Sequence, residues 1–143
     1  MNLFQNGHSF NLAIRCAPPG NHVVPFVRVQ MAGASGLFMP VLGKVDTGAF
    51  RTMLNFDTAC ALGIDDPTSS PLAHRTAKTA TGQTFPYYVH RVIVRIERDS
   101  NHQILFPLDV GFAERVARNL FGVDWLEHLC LAVDRRAVYF LRD

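Results

Sequence analysis

Val41-Leu42-Gly43-Lys44-Val45-Asp46-Thr47-Gly48-Ala49 carries more information than any other stretch of this 143-residue chain. A strand-forming run leads straight into a carboxylate, a hydroxyl and a glycine that lets the backbone turn sharply. Asp-Thr-Gly on its own recurs by chance in roughly a few per cent of chains this long at average composition. A plain Asx turn after a strand accounts for it equally well. The meaning of the motif therefore rests on its surroundings.

Outward from the motif, the dominant pattern is alternation with period two, the mark of half-buried strands. Val27, Val29 and Met31 share one face of Phe26–Met31, with Arg28 and Gln30 on the other. His90, Val92, Val94 and Ile96 alternate with Arg91, Ile93, Arg95 and Glu97. Ile104, Phe106, Leu108 and Val110 repeat the pattern. Turn signals separate these runs at Pro18-Pro19-Gly20-Asn21, Ala32-Gly33-Ala34-Ser35-Gly36 and Asp99-Ser100-Asn101. The last of them predicts a hairpin. Ala137 to Leu141 is again strand-like.

Helix is scarce. Asp57 to Gly63 predicts one short helix, with Asp57 as N-cap and Gly63 as stop. Glu114 to Arg118 predicts a turn or two, and Asp124 to Leu129 a second short helix capped by Asp124. The expected architecture is mainly β, closed or nearly closed, with one or two short helices. Residues 1–22 are expected to form an arm, either flexible or adding a strand to a partner. Residues 23–143 are expected to form one domain.

Composition bounds the function. With 48% hydrophobic and 18% charged residues, the chain suits an ordinary core that needs no staple. A net charge of +2, with Lys and Arg scattered, argues against nucleic acid as a partner. The first residues lack the basic and apolar regions of a signal peptide, and no run approaches a bilayer span. Three widely spaced cysteines, Cys16, Cys60 and Cys130, suit reduced thiols. The expected location is the cytoplasm.

About 75 residues beyond the first motif stands Leu120-Phe121-Gly122, followed by the helix-like Asp124 to Leu129 and a closing strand. In this combination the chain resembles the retropepsin family of aspartic proteases over roughly Pro25 to Leu141. The family pairs a hydrophobic strand ending in Asp-Thr-Gly-Ala with a later hydrophobic-hydrophobic-Gly and a short helix. The resemblance implies an all-β, closed retropepsin-like barrel, active as a homodimer, with Asp46, Thr47 and Gly48 at the catalytic centre. Thr47 would bond across the two-fold axis, Gly48 would leave room for substrate backbone, and Ala49 would floor the cleft. Thr79 to Thr84 would form a flap whose Thr81 and Gly82 close over an extended peptide, though for Gly82 a simple hairpin turn explains the glycine equally.

Chemistry explains why one such motif implies two chains. Peptide hydrolysis by this route uses one carboxylate to take a proton from water and a protonated one to donate to the carbonyl oxygen. Two carboxyls ~3 Å apart share one proton and titrate as a pair. This chain offers a single Asp-Thr-Gly, so a second copy of Asp46 would complete the dyad. No metal or cofactor is called for. The family's retroviral members carry an Asp and an Arg, paired, where this chain has Phe50 and Val123. Their joint absence predicts that Phe50 and Val123 pack together as an apolar pair.

Other candidates weigh less. The six histidines show no zinc spacing, and His128-Leu129-Cys130 lacks further ligands. Cys60 is expected to be buried rather than nucleophilic, and Trp125 to anchor the core. Gly33-Ala34-Ser35-Gly36 is expected to be a loop, lacking the spacing of a phosphate cradle. The leading expectation is an aspartic endopeptidase acting on peptide or protein. The alternative is a catalytically silent retropepsin-like module for dimerisation or peptide binding.

Overall fold

The computed structural model describes residues 12–15, 25–99, 101–133 and 137–141. The Pro18-Pro19-Gly20-Asn21 turn, Cys16 and most of the N-terminal arm lie outside these residues.

The alternating runs become strands in which the apolar set turns inward. Phe26–Ala32 (β2) buries Val27, Val29 and Met31 while Arg28 stays exposed. It pairs antiparallel with β3, Phe38–Val45, through the turn at Gly33–Gly36. Two longer strands, β6 (Thr84–Asp99) and β7 (His102–Phe112), form the hairpin expected at Asp99-Ser100-Asn101. Val92, Val94, Ile96, Ile104, Phe106, Leu108 and Val110 from this hairpin are all buried. Each such side chain removed from water contributes roughly 1.5–3 kcal/mol.

Three short pieces complete the main sheet: β4 (Met53–Leu54), β5 (Ala73–Lys78) and β8 (Leu120–Phe121). Strand order is β2-β3-β8-β4-β7-β6-β5, and β2 also pairs with β6. That extra pairing, Gln30 to Ala32 against Ile93 to Arg95, closes six strands into a ring with β5 outside it. The pairings β3–β8 and β4–β7 are parallel, and the rest are antiparallel.

A second sheet stacks β1 (Leu12–Arg15), β10 (Ala137–Leu141) and β9 (Cys130–Val133) in that order. Leu12–Arg15 thus pairs antiparallel with β10 of its own chain. Trp125 is fully buried between the two sheets. Its ring stacks on Phe121 at 4.7 Å, meets Phe106 edge-on at 5.6 Å and lies 6.1 Å from Phe140 of β10. The anchoring role expected of Trp125 holds.

Among the described residues, helix is confined to α1, Phe56–Ala61, and a 3-10 turn at Val123–Glu127. Three expectations need correction here. The N-cap of α1 is Asn55, whose side chain accepts from Thr58 N–H, while Asp57 sits inside the first turn. Both residues are good caps, but capping at Asn55 also lets Asn119 accept Asn55 N–H at 2.9 Å. Cys60 is exposed, because the six-residue helix buries Ala59 and turns its next position outward. Asp124 caps nothing. Gly122 occupies the cap of the 3-10 turn and makes no side-chain cap bond. Gly63, at φ +82°, does end α1 as expected. Among the described residues, no helix is long and apolar enough to cross a membrane.

Candidate active site

Strand β3 ends at Val45, and the chain turns through Asp46-Thr47-Gly48-Ala49 before entering β4. The turn is held at both edges. Asp46 N–H donates to the Phe121 carbonyl of β8 at 2.9 Å, and Ala49 N–H donates back to the Asp46 carbonyl at 3.1 Å. The carboxylate is fixed by the turn itself, since its Oδ1 accepts Gly48 N–H at 2.9 Å. One charge-assisted bond to a backbone donor orients the group. Asp46 is half-buried, while Thr47 and Gly48 are exposed. Thr47 makes no side-chain hydrogen bond with the described residues.

Leu120-Phe121-Gly122 lies directly beside this turn. Val123 N–H donates to the Ala49 carbonyl at 2.9 Å, and Lys44 N–H to the Asn119 carbonyl at 2.9 Å. Gly122 is required by proximity rather than by backbone angle. A Cβ there would stand 2.7 Å from the Ala49 oxygen and 2.7 Å from the Arg51 carbonyl carbon. The two sequence motifs, about 75 residues apart, are thus one structural unit.

That unit is locked by Thr52, a residue the sequence reading passed over. Its hydroxyl donates to Asp124 Oδ1 at 2.8 Å and accepts Gly122 N–H at 3.1 Å and Trp125 Nε1–H at 2.9 Å. A hydroxyl has one proton and two acceptor sites, so every one is used. Thr52 N–H also donates to Asp124 Oδ2 at 2.8 Å. Burial pushes the Asp124 carboxyl above the ordinary aspartate range, and the Thr52 bonds and the Arg51 charge offset this only in part. Asn119 does similar work nearby, donating to the Leu42 carbonyl at 3.0 Å and accepting Asn55 N–H. A small hydroxyl standing against Met53-Leu54, both buried, was the one signal that pointed to Thr52.

Strands β5 and β6 form a hairpin whose tip is Thr79 to Gln83. Lys78 pairs with Thr84, and Gly82 has φ +88°, which suits a glycine. Thr79 N–H donates to the Gln83 carbonyl at 2.7 Å, and the Thr79 and Thr81 hydroxyls bond at 2.9 Å. Arg115 reaches the tip, donating to Gln83 Oε1 at 2.9 Å. Thr81 and Gly82 are both exposed.

Two hollows flank the turn. One, about 270 Å³, is lined by Asp46, Thr47, Gly122, Val123, Leu126 and Leu131 among others and is mainly apolar. The other, about 440 Å³, lies on the Phe50 side, against Arg51, Asp109, Val123, Asp124 and His128. Phe50 and Val123 therefore do border one cleft, but the expected burial of Phe50 fails, since it is 87% exposed. Burying the ring would mean desolvating the charged lining of the cleft, a cost that outweighs the gain. His128 stacks on Phe106 instead of gathering ligands, and no cluster suited to a metal occurs among the described residues.

No protein-family model and no curated protein sequence matches the chain. Solved structures do. A retropepsin-like aspartic protease from Rickettsia conorii superposes over 90% of this chain and 88% of its own, with TM-score 0.57 and 16% identity. The fold is retropepsin-like. The EIAV protease complexed with the inhibitor HBY-793 covers 78% of this chain and 92% of its own, at 14% identity and TM-score 0.48. Within the retropepsin-like barrel, Asp46, Thr47, Gly48 and Ala49 occupy the turn that joins β3 to β4, and Gly122 packs on it.

Proposed function

We propose that the chain is one half of an aspartic endopeptidase, completed by a second copy that brings another Asp46 to the first. The observation that carries this reading is the state of Asp46. Its carboxylate is oriented by a single backbone donor, borders an open apolar hollow, and is not consumed by structure. The nearby Asp124, by contrast, spends both oxygens on Thr52.

In the paired site, the two Asp46 carboxyls share one proton, because both cannot ionise at close range. The ionised member takes a proton from water as that water attacks the scissile carbonyl, and the protonated member donates to the carbonyl oxygen. Thr47, whose hydroxyl is free of the described residues, bonds across the two-fold and keeps the carboxyls coplanar. Gly48 and Ala49 accommodate the substrate backbone. The Thr79–Gln83 tip closes as a flap, with Thr81 and Gly82 over a peptide bound as an added strand. Exposed free thiols at Cys60 and Cys130 suit a reducing compartment such as the cytoplasm.

Mixing experiments test the shared dyad. Wild-type and Asp46→Asn chains are exchanged at fixed total concentration and peptide cleavage is followed. Activity should fall as the square of the wild-type fraction. A linear fall means that each chain holds a complete site, and the reading is then wrong. An Asp46→Asn homodimer that cleaves at the wild-type rate rules out the Asp46 dyad, whereas a wild-type dimer that binds peptide without cleaving it supports instead the catalytically silent module.

A further inference from the structure

The β5–β6 hairpin is unevenly supported along its length. Pairing of β6 with β7 begins at Tyr88, opposite Phe112, so residues 75–87 form a two-stranded ribbon with no third strand beside it. None of those residues is buried. A two-stranded hairpin alone is marginally stable in water, so the place this ribbon takes depends on what its side chains touch.

Those contacts gather at its root and at its tip. At the root, Tyr88 stacks on His74 at 4.7 Å and meets Phe56 of α1 at 6.4 Å. Tyr87 packs so closely over Gly111 that a Cβ on that glycine would stand 2.7 Å from the tyrosine ring. Between root and tip, a hollow of about 380 Å³ separates Thr84, Phe85 and Pro86 of the ribbon from Phe56, Glu114 and Arg115. At the tip, Arg115 donates to Gln83 Oε1 at 2.9 Å. Among the described residues, this is the one hydrogen bond that joins residues 79–83 to anything outside the hairpin. Gln83 is also tied into the turn. Its carbonyl accepts Thr79 N–H at 2.7 Å, and its own N–H donates to the Thr79 hydroxyl at 3.1 Å. A hold on the Gln83 side chain is therefore a hold on the whole tip.

We propose that Arg115 is a positioning residue for the flap, a latch whose bond to Gln83 pins the far end of a ribbon otherwise anchored at its Tyr87–Tyr88 root. This rests on the flap reading and names the residue that keeps Thr81 and Gly82 in a settled place. A guanidinium donating to an amide oxygen is a charge-assisted bond, and here it acts at the end of a lever. Ordering a loose segment on binding costs affinity, so a tip already pinned captures peptide more tightly. The chemistry at Asp46 is untouched by the latch.

Nitrogen-15 relaxation of the full chain tests this. Amides of residues 76–85 should show order parameters of about 0.85 in the wild type, falling toward about 0.6 in Arg115→Met and in Gln83→Met. Arg115 and Gln83 are both exposed, so these variants fold. The double variant should fall no further than either single one, because both remove the same bond. Arg115→Lys, which still donates, should restore part of the order, while Glu114→Gln, on the same hollow, should leave the tip unchanged. In peptide cleavage, Arg115→Met should raise KM roughly threefold or more and keep kcat within about twofold of wild type. Order parameters that do not move overturn the latch, whatever the activity. A tip that loosens in an active enzyme whose KM stays the same overturns its part in peptide capture. A tip that loosens in a chain that cleaves nothing supports the latch and overturns the protease reading instead.

Discussion

The two ends of the segment Asp46–Thr52 are seven residues of one loop with opposite fates. At its far end, Thr52 is fully buried and all its hydrogen-bonding capacity is spent on Asp124, Gly122 and Trp125. At its near end, Thr47, Gly48 and Phe50 are exposed, and the Asp46 carboxylate is held by one backbone donor. The buried end makes a rigid floor. The open end presents groups that the single chain has not used. The proposed shared site would need both, since a carboxylate can be offered at a fixed position only if the loop beneath it cannot move.

The sharpest break in this comparison is Asp46→Asn. Removing a dyad carboxylate should cost on the order of a thousandfold or more in kcat/KM, while the thermal midpoint of the protein stays where it was. A variant that loses its fold along with its activity would place Asp46 among the structural residues and erase the distinction. Thr52→Val should give the reverse signature at the other end. It keeps the shape but strands Gly122 N–H, Trp125 Nε1–H and one Asp124 oxygen in the interior, each costing about 1–3 kcal/mol. Urea unfolding should show a loss of roughly 3 kcal/mol; a loss under about 1 kcal/mol would mean the network is decorative.

Asp124→Asn probes the same end more gently and adds a pH dependence. An amide would turn a donor toward one of the two Thr52 donors, at a cost near 1 kcal/mol at neutral pH. Burial raises the wild-type carboxyl above its unfolded value, so the folded protein holds that proton more tightly than the unfolded chain. Its stabilising contribution is complete below the unfolded value of about 4 and disappears as pH climbs through the folded one. The stability gap between wild type and Asp124→Asn should therefore be widest in acid and narrow as pH rises. A gap that widens with pH would show that the Thr52 bonds, not burial, govern the group. The smallest effect belongs to the open end. With the ring 87% exposed, Phe50→Asp should change stability by no more than about 0.5 kcal/mol in dilute, dissociated protein. A larger loss would mean Phe50 is packed after all.

Much of the barrel was legible because period two is written directly into β2, β6 and β7, where Val, Ile and Phe alternate with Arg, Gln and Glu. The turn after β3 was legible through Asp46-Thr47-Gly48 and its later companion Gly122. What escaped is what only three dimensions create. Two-residue strands such as β4 and β8 have no period to read, so the parallel pairings Lys44 with Leu120 and Met53 with Gly111 left no trace. Thr52 and Asn119 look like ordinary polar residues, and their importance comes from partners 61–77 positions away. The choice between Asn55 and Asp57 as cap was decided by Asn119, and the exposure of Cys60 by the shortness of α1. Phe50 was misjudged because two missing charges were taken to leave an apolar space, whereas Arg51, Asp109 and Asp124 keep the cleft polar.

Closure of the ring by β2 against β6 has a consequence for how the chain reaches this state. Gln30 and Arg95, bonded across that seam at 3.0 Å, stand 65 residues apart in sequence, and Phe38 lies under the same guanidinium at 4.0 Å. The β6–β7 hairpin needs only a short turn and can assemble in microseconds, but β2 must find β6 across a long loop whose entropy is lost before any contact repays it. Proteins dominated by such distant pairings fold in milliseconds to seconds. During that interval the hairpin's inner face, rich in Val, Ile and Phe, is uncovered. Seam formation, rather than the local hairpin, then sets how long each newly made subunit remains open to the wrong kind of encounter.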